Sequence, residues 1–133
     1  MITFDPSSPS TTENNKGKRL VAIVGPCGAG KTTLEKGLRA LGYNARAIVQ
    51  EHSYVQTMWR QLTNPDILIF LQASHAVGKE RRGLNWSPSE WQEQQLRLTH
   101  ARNHAHFYFD TDGHTIHEVL QGVIQFLNSL EED

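Results

Sequence analysis

The chain has 133 residues, 13 Lys and Arg, 14 Asp and Glu, and a formal net charge of −1. The length suggests one compact domain, and 38% hydrophobic residues supply one core. The charge balance gives no broad basic face of the kind that holds duplex nucleic acid, no apolar run reaches the roughly 18–20 residues that span a bilayer, and the single cysteine, Cys27, excludes an internal disulfide or a multi-cysteine zinc site. These features lead us to expect a soluble cytoplasmic protein with neither membrane nor nucleic acid among its partners.

Residues 1–17 are rich in Ser, Thr, Pro and Asn. They bury too little apolar surface to offset the entropy of ordering, so they predict a mobile tail ahead of a domain at 18–133. Leu20-Val-Ala-Ile-Val24 is a continuous apolar run that reads as a strand buried on both faces. A glycine-rich turn follows, then a helix over 31–41 with Leu34, Leu38 and Leu41 on one face and Gly42 as terminator. Ala45 to Gln50 predicts a second strand. Ser53 is a candidate cap for a short helix through Leu62. Ile67 to Leu71 predicts a third buried strand, and residues 75–83 a short helix.

The next helix has clear start signals: Ser87 as cap, Pro88 at the first position and Glu90 three residues after the cap. Trp86 and Trp91 hold the two positions of a hydrophobic staple. This helix is expected to run to about Ala105, before a fourth strand over 106–109. Thr115 and Glu118 form a second capping box, ahead of an apolar stripe of Ile116, Val119, Leu120, Val123, Ile124 and Leu127. Strands alternating with helices imply an α/β fold, a three-layer α/β/α sandwich with a small, mostly parallel sheet of about four strands.

Gly25-Pro26-Cys27-Gly28-Ala29-Gly30-Lys31-Thr32 matches GxxxxGK[ST] in full, between a buried strand and an amphipathic helix. The glycines take backbone angles closed to other residues, and the loop turns its N–H groups inward as an anion nest. The helix, which continues with Thr33, adds free N–H groups and the positive end of its dipole. Lys31 supplies a cation for the β- and γ-phosphates, and Thr32 offers its hydroxyl to magnesium. The expected ligands are therefore a nucleoside triphosphate, ATP, and Mg2+.

Glu51 follows the second strand at its carboxyl end, where ligands sit in open α/β sheets. It is the candidate to support magnesium or act as general base; the alternative is a solvated glutamate. Asp66, at the opposite end of its strand, reads as structural. Asp110-Thr-Asp-Gly113 matches DxxG, but no guanine-reading motif accompanies it, so Asp110 and Asp112 read as strand-end and turn residues, with Asp110 a minor metal candidate. Arg81 and Arg82 are candidates to close on the phosphates, since a guanidinium makes bidentate contacts and keeps its charge; a solvated basic face is the other reading. Arg97, Arg102, His52 and Trp59 are weaker candidates. His100 and His104 have the i,i+4 spacing of zinc ligands, with His106 nearby, but no completing carboxylate or cysteine.

With its nucleotide loop, Pro65-Asp-Ile-Leu-Ile-Phe-Leu-Gln-Ala-Ser74 resembles the nucleoside and nucleotide kinases, thymidylate and deoxynucleoside kinases among them. Glu51, with Trp59 eight residues on, is similar to the glutamate–tryptophan segment of deoxynucleoside kinases, in which the glutamate is the catalytic base. Lys79, Arg81 and Arg82 occupy the region of the lid arginines. The end of the chain from His106 resembles the last strand and helix of shikimate-kinase-like proteins. The resemblance implies a phosphotransferase that moves the ATP γ-phosphoryl group to a small molecule, with Lys31, Glu51, Arg81 and Arg82 in catalytic roles. The segment before Pro65 is shorter than the acceptor domain of those enzymes, and Gln72 stands where thymidylate kinases often have aspartate. A nucleotide-binding regulatory module or a slow NTPase is therefore the alternative. A monomer and a homodimer are both compatible with one exposed sheet edge.

Overall fold

The computed structural model describes residues 19–83 and 85–131. The tail expected over residues 1–17 lies outside them. Four strands, β1 (Leu20–Val24), β2 (Asn44–Ala47), β3 (Ile67–Gln72) and β4 (Phe107–Asp110), form one sheet in the order β2-β1-β3-β4. Every neighbouring pair is parallel, with Val21 opposite Ala45 on one side and Ile67 on the other. Six helices connect and follow them among the described residues: α1 (Lys31–Ala40), α2 (Met58–Thr63), α3 (His75–Arg82), α4 (Pro88–Arg97), α5 (Thr99–His104) and α6 (Ile116–Glu131).

Side chains alternate across a strand, and β1 shows what that does here. Val21 and Ile23 pack with Leu34 and Leu38 of α1 and with Val119, Val123 and Leu127 of α6. Ala22 and Val24 belong to the opposite cluster, with Trp59 of α2, Leu98 and Ala101. Helices thus cover both faces, an α/β arrangement compatible with a three-layer sandwich. Each fully buried Leu, Ile or Phe contributes about 1.5–3 kcal/mol, so both clusters hold the sheet. The chain moves from β1 to β2 on one side and then to β3 on the other. That reversal opens a crevice at the carboxyl ends of β1 and β3, the usual ligand position in such sheets.

Several local expectations are corrected. β2 ends at Ala47 rather than Gln50, because Val49 is exposed and Gln50, Glu51 and His52 wind into a 3-10 turn. Ser53 does not cap α2; its Oγ accepts from Val55 N–H at 3.1 Å, and the helix starts at Met58. The long helix expected to reach Ala105 is divided at Leu98, whose backbone leaves helical geometry (φ −97°, ψ 0°). Leu98 and Ala101 are both fully buried across that break. Leu41 and Ile116 are exposed, whereas the rest of each predicted stripe is buried or packed on the core. Trp86 does not staple to Trp91: it stacks on His75 at 5.7 Å between centroids, while Trp91 Nε1 donates to the Ala73 carbonyl at 3.0 Å. Both capping boxes form as expected. In the second, the hydrogen bond from the Thr115 backbone holds the Glu118 carboxyl below its usual value.

Candidate functional site

The loop from Gly25 to Gly30 joins β1 to α1 at the crevice. A side chain at Gly25 would collide with the Leu71 carbonyl oxygen of β3, so only glycine lets the loop leave the sheet here. Gly28 has φ +86°, and a Cβ on it would lie 2.6 Å from the Gly78 Cα in α3. Ala29 N–H closes the turn on the Pro26 carbonyl at 3.2 Å. No side chain caps α1. Among the described residues, the N–H groups of Gly28, Gly30, Lys31, Thr32 and Thr33 have no acceptor. Unpaired amides from a glycine loop and the first turn of a helix make an anion site, reinforced by the helix dipole. Thr32 and Thr33 are exposed at that end.

Lys31 is buried at 9% exposure. Its Nζ donates to the carbonyls of Gly25 (2.9 Å) and Pro26 (3.3 Å) and to Glu51 Oε2 (2.8 Å). Glu51 is 2% exposed, carried by the turn after β2, and its Oε1 has no hydrogen-bond partner. The two predicted residues therefore meet as a buried ion pair, which excludes the reading of Glu51 as a solvated strand-end glutamate. Such a pair offsets its desolvation only while both partners are present. Cys27 and His52 border it: His52 Nε2 is 3.4 Å from Cys27 Sγ and 3.8 Å from Glu51 Oε2.

These groups line a cleft of about 620 Å³ that also includes Thr32, Arg81 and Arg82. Leu34, Val119 and Leu120 give one wall an apolar surface, and Thr111 and His114 lie on it too. Arg81 binds the loop itself, donating to the Gly28 carbonyl (3.1 Å), Thr111 Oγ1 (2.8 Å) and the Thr111 carbonyl (2.8 Å). A second groove of similar size beside α3, lined by His75, Lys79 and Glu80, is far more open and contains neither the free amides nor the buried pair.

Other candidates fall elsewhere. Trp59 is buried at 4% in the second core, and its Nε1 donates to His100 Nδ1 at 3.2 Å, so it is a packing residue and not a base contact. His100 and His104 stack at 4.1 Å between centroids. Burial, then the charges of His104 and Arg60, hold His100 below the ordinary histidine value. Arg97 supports the site from behind: it donates to the Glu51 carbonyl at 3.3 Å, pairs with Glu93 and lies over Tyr54. Arg102 donates to Gln95. Gln72 and Gln95 close a reciprocal amide pair at the end of β3. Asp66 accepts from Leu20 N–H, Asp110 from Asp112 N–H and Asp112 from Ser74 N–H, the structural roles their positions suggested.

Sequence reasoning missed two residues that shape the loop. Gly78 sits inside α3 and lets the loop pack on the helix; a Cβ there would lie 2.9 Å from the Cys27 carbonyl oxygen. An isolated glycine inside a helix is the available signal, since it costs about 1 kcal/mol against alanine unless packing requires it. Gln94 is buried and clamps Cys27 from both sides. Its Oε1 accepts from Cys27 N–H at 3.0 Å, and its Nε2 approaches Sγ at 3.3 Å. A polar residue in line with Leu98 and Ala101 was its signal.

No helix of the described residues is long and apolar enough to cross a membrane. No protein-family model matches the chain, and no curated protein matches it at a significant level.

Proposed function

We propose that this chain binds a nucleoside triphosphate with magnesium on Gly25–Thr33 and acts as a small kinase-like P-loop phosphotransferase. The observation that carries this reading is the set of unpaired amides of Gly28, Gly30, Lys31, Thr32 and Thr33 beside the buried Lys31 ammonium. Phosphate oxygens would complete those amides. The cleft of about 620 Å³ lies in the size range of small-molecule sites. Its apolar wall at Leu34, Val119 and Leu120 suits a nucleobase.

In this mechanism the loop amides, including those of Gly28 and Gly30, orient the phosphate chain, and Lys31 neutralises its charge. Catalysis is then mainly positioning and charge stabilisation. Magnesium is a hard cation that takes oxygen ligands. The Thr32 hydroxyl and the unpartnered Glu51 Oε1 fit that chemistry and would hold the ion, which would supply charge neutralisation at the phosphates. Glu51 alternatively accepts the proton of the attacking hydroxyl. Arg82 supplies a second cation at the cleft, and Arg81 fixes the loop against Thr111. The acceptor is a small molecule.

A second reading, a regulatory nucleotide-binding module or slow NTPase, is favoured by one observation. Lys31 is tied to Glu51 and two loop carbonyls, a closed arrangement that nucleotide must reopen. An assay of γ-phosphate transfer from ATP to a panel of nucleosides, nucleotides and small alcohols separates the two. Transfer that is lost in Glu51→Gln supports the phosphotransferase. Binding with no transfer and slow phosphate release supports the module.

A further inference from the structure

The mouth of the cleft contains three ligand atoms of different kinds. Cys27 Sγ, His52 Nε2 and Glu51 Oε2 lie 3.4, 3.8 and 4.0 Å apart in their three pairings. A tetrahedral zinc ion, about 2.3 Å from sulfur and about 2.0–2.1 Å from nitrogen and oxygen, separates its ligands by about 3.3–3.6 Å. The triangle is therefore within about 0.5 Å of that geometry. Among the described residues this is the one His, Cys and carboxylate group so arranged.

Two further observations point to a cation. Glu51 is 2% exposed, and its Oε1 has no partner, so the carboxylate has unmet capacity beyond Lys31. Lys31 holds Oε2, the oxygen of the triangle, at 2.8 Å, and a metal ion there would share or displace that contact. Cys27 is also held in place: Gln94 engages its N–H at 3.0 Å and its sulfur at 3.3 Å. Outer partners of this kind orient metal ligands. His52 is half-exposed, which leaves an entry path from solvent. Thiolate and imidazole favour a borderline ion over magnesium.

We propose that Cys27, Glu51 and His52 form a three-ligand site for a divalent cation of the zinc class. The site goes beyond the nucleotide reading and is tested without nucleotide, so failure of one leaves the other standing. The test is a titration of the full chain with Co2+, followed by displacement with Zn2+. One equivalent of cobalt should give a thiolate-to-cobalt charge-transfer band in the near ultraviolet and tetrahedral bands in the visible, all removed by zinc. Cys27→Ser should lose the near-ultraviolet band. His52→Ala, at an exposed position that the fold tolerates, should weaken binding at least about 10-fold, the lower end of what loss of an outer partner alone costs. Absence of the bands at stoichiometric cobalt, a full-intensity near-ultraviolet band in Cys27→Ser, or unchanged affinity in His52→Ala would overturn the proposal.

Discussion

Lys31→Met tests whether the site contains a buried ion pair that depends on both partners. Methionine keeps much of the lysine volume and removes the ammonium, so Glu51 is left buried without its lysine partner. Breaking such a pair from one side costs about 3–5 kcal/mol. Glu51→Gln is milder, because Lys31 keeps the carbonyls of Gly25 and Pro26 at 2.9 and 3.3 Å. Its cost should be about 1–3 kcal/mol, that of a weakened buried hydrogen-bond set. Replacing both residues in Lys31→Met/Glu51→Gln removes both charges together and should cost less than Lys31→Met alone. Urea unfolding followed by tryptophan fluorescence measures all three. Single-mutant costs that simply add in the double mutant, or a Lys31→Met cost below about 1 kcal/mol, would refute the buried, mutually dependent pair.

Gly78→Ala gains about 1 kcal/mol of helix propensity but places a methyl 2.9 Å from the Cys27 carbonyl oxygen. Overpacking costs about 1–3 kcal/mol, so urea unfolding should show net loss and ATP titration weaker binding; a more stable variant with unchanged affinity would contradict the loop contact. Trp59→Ala should cost about 3–5 kcal/mol and leave nucleotide affinity unchanged at temperatures where the variant is folded; a large affinity loss there would return Trp59 to the site. His100 accepts from Trp59 Nε1 as a neutral ring, and its folded value is lowered by burial, then by His104 and Arg60. The unfolded chain therefore binds a proton first as pH falls, so this stability is full above the ordinary histidine value and fades below it. The drop in urea midpoint from pH 7.5 to 5.5 should shrink in His100→Gln; an equal drop would exclude His100 as a cause.

The α/β layout was legible because buried strands are continuous apolar runs and two helices carry complete capping boxes. The loop was legible because Gly25, Gly28, Gly30 and Lys31 answer demands that few other residues meet. What escaped the sequence depends on distant contacts. β2 stops at Ala47 although Ile48 is buried, because Glu51 turns inward onto Lys31. The break at Leu98 carries no Gly or Pro; burial of Leu98 and Ala101 on the same core outweighs helical continuity. Trp59 had an aromatic ring suited to stacking on a base, but its ring serves the core. Glu51 could be placed at the right end of the sheet, whereas its burial and its contact with Lys31 needed the fold. Gly78 and Gln94 matter through their contacts with the loop at Cys27 and Gly28, which is remote from both in sequence.

Binding of nucleotide phosphates by the Lys31 ammonium and the amides of Gly28, Gly30, Lys31, Thr32 and Thr33 is tested by a titration of ATP, with and without magnesium, followed by amide NMR shifts in the wild type and in Lys31→Met below its unfolding transition. Binding should be saturable and magnesium-enhanced, with the largest shifts on Gly28, Gly30, Lys31, Thr32 and Thr33, and should be lost or much weakened in the variant. Absence of binding at millimolar ATP, or binding whose shifts avoid this loop and persist in Lys31→Met, would contradict it.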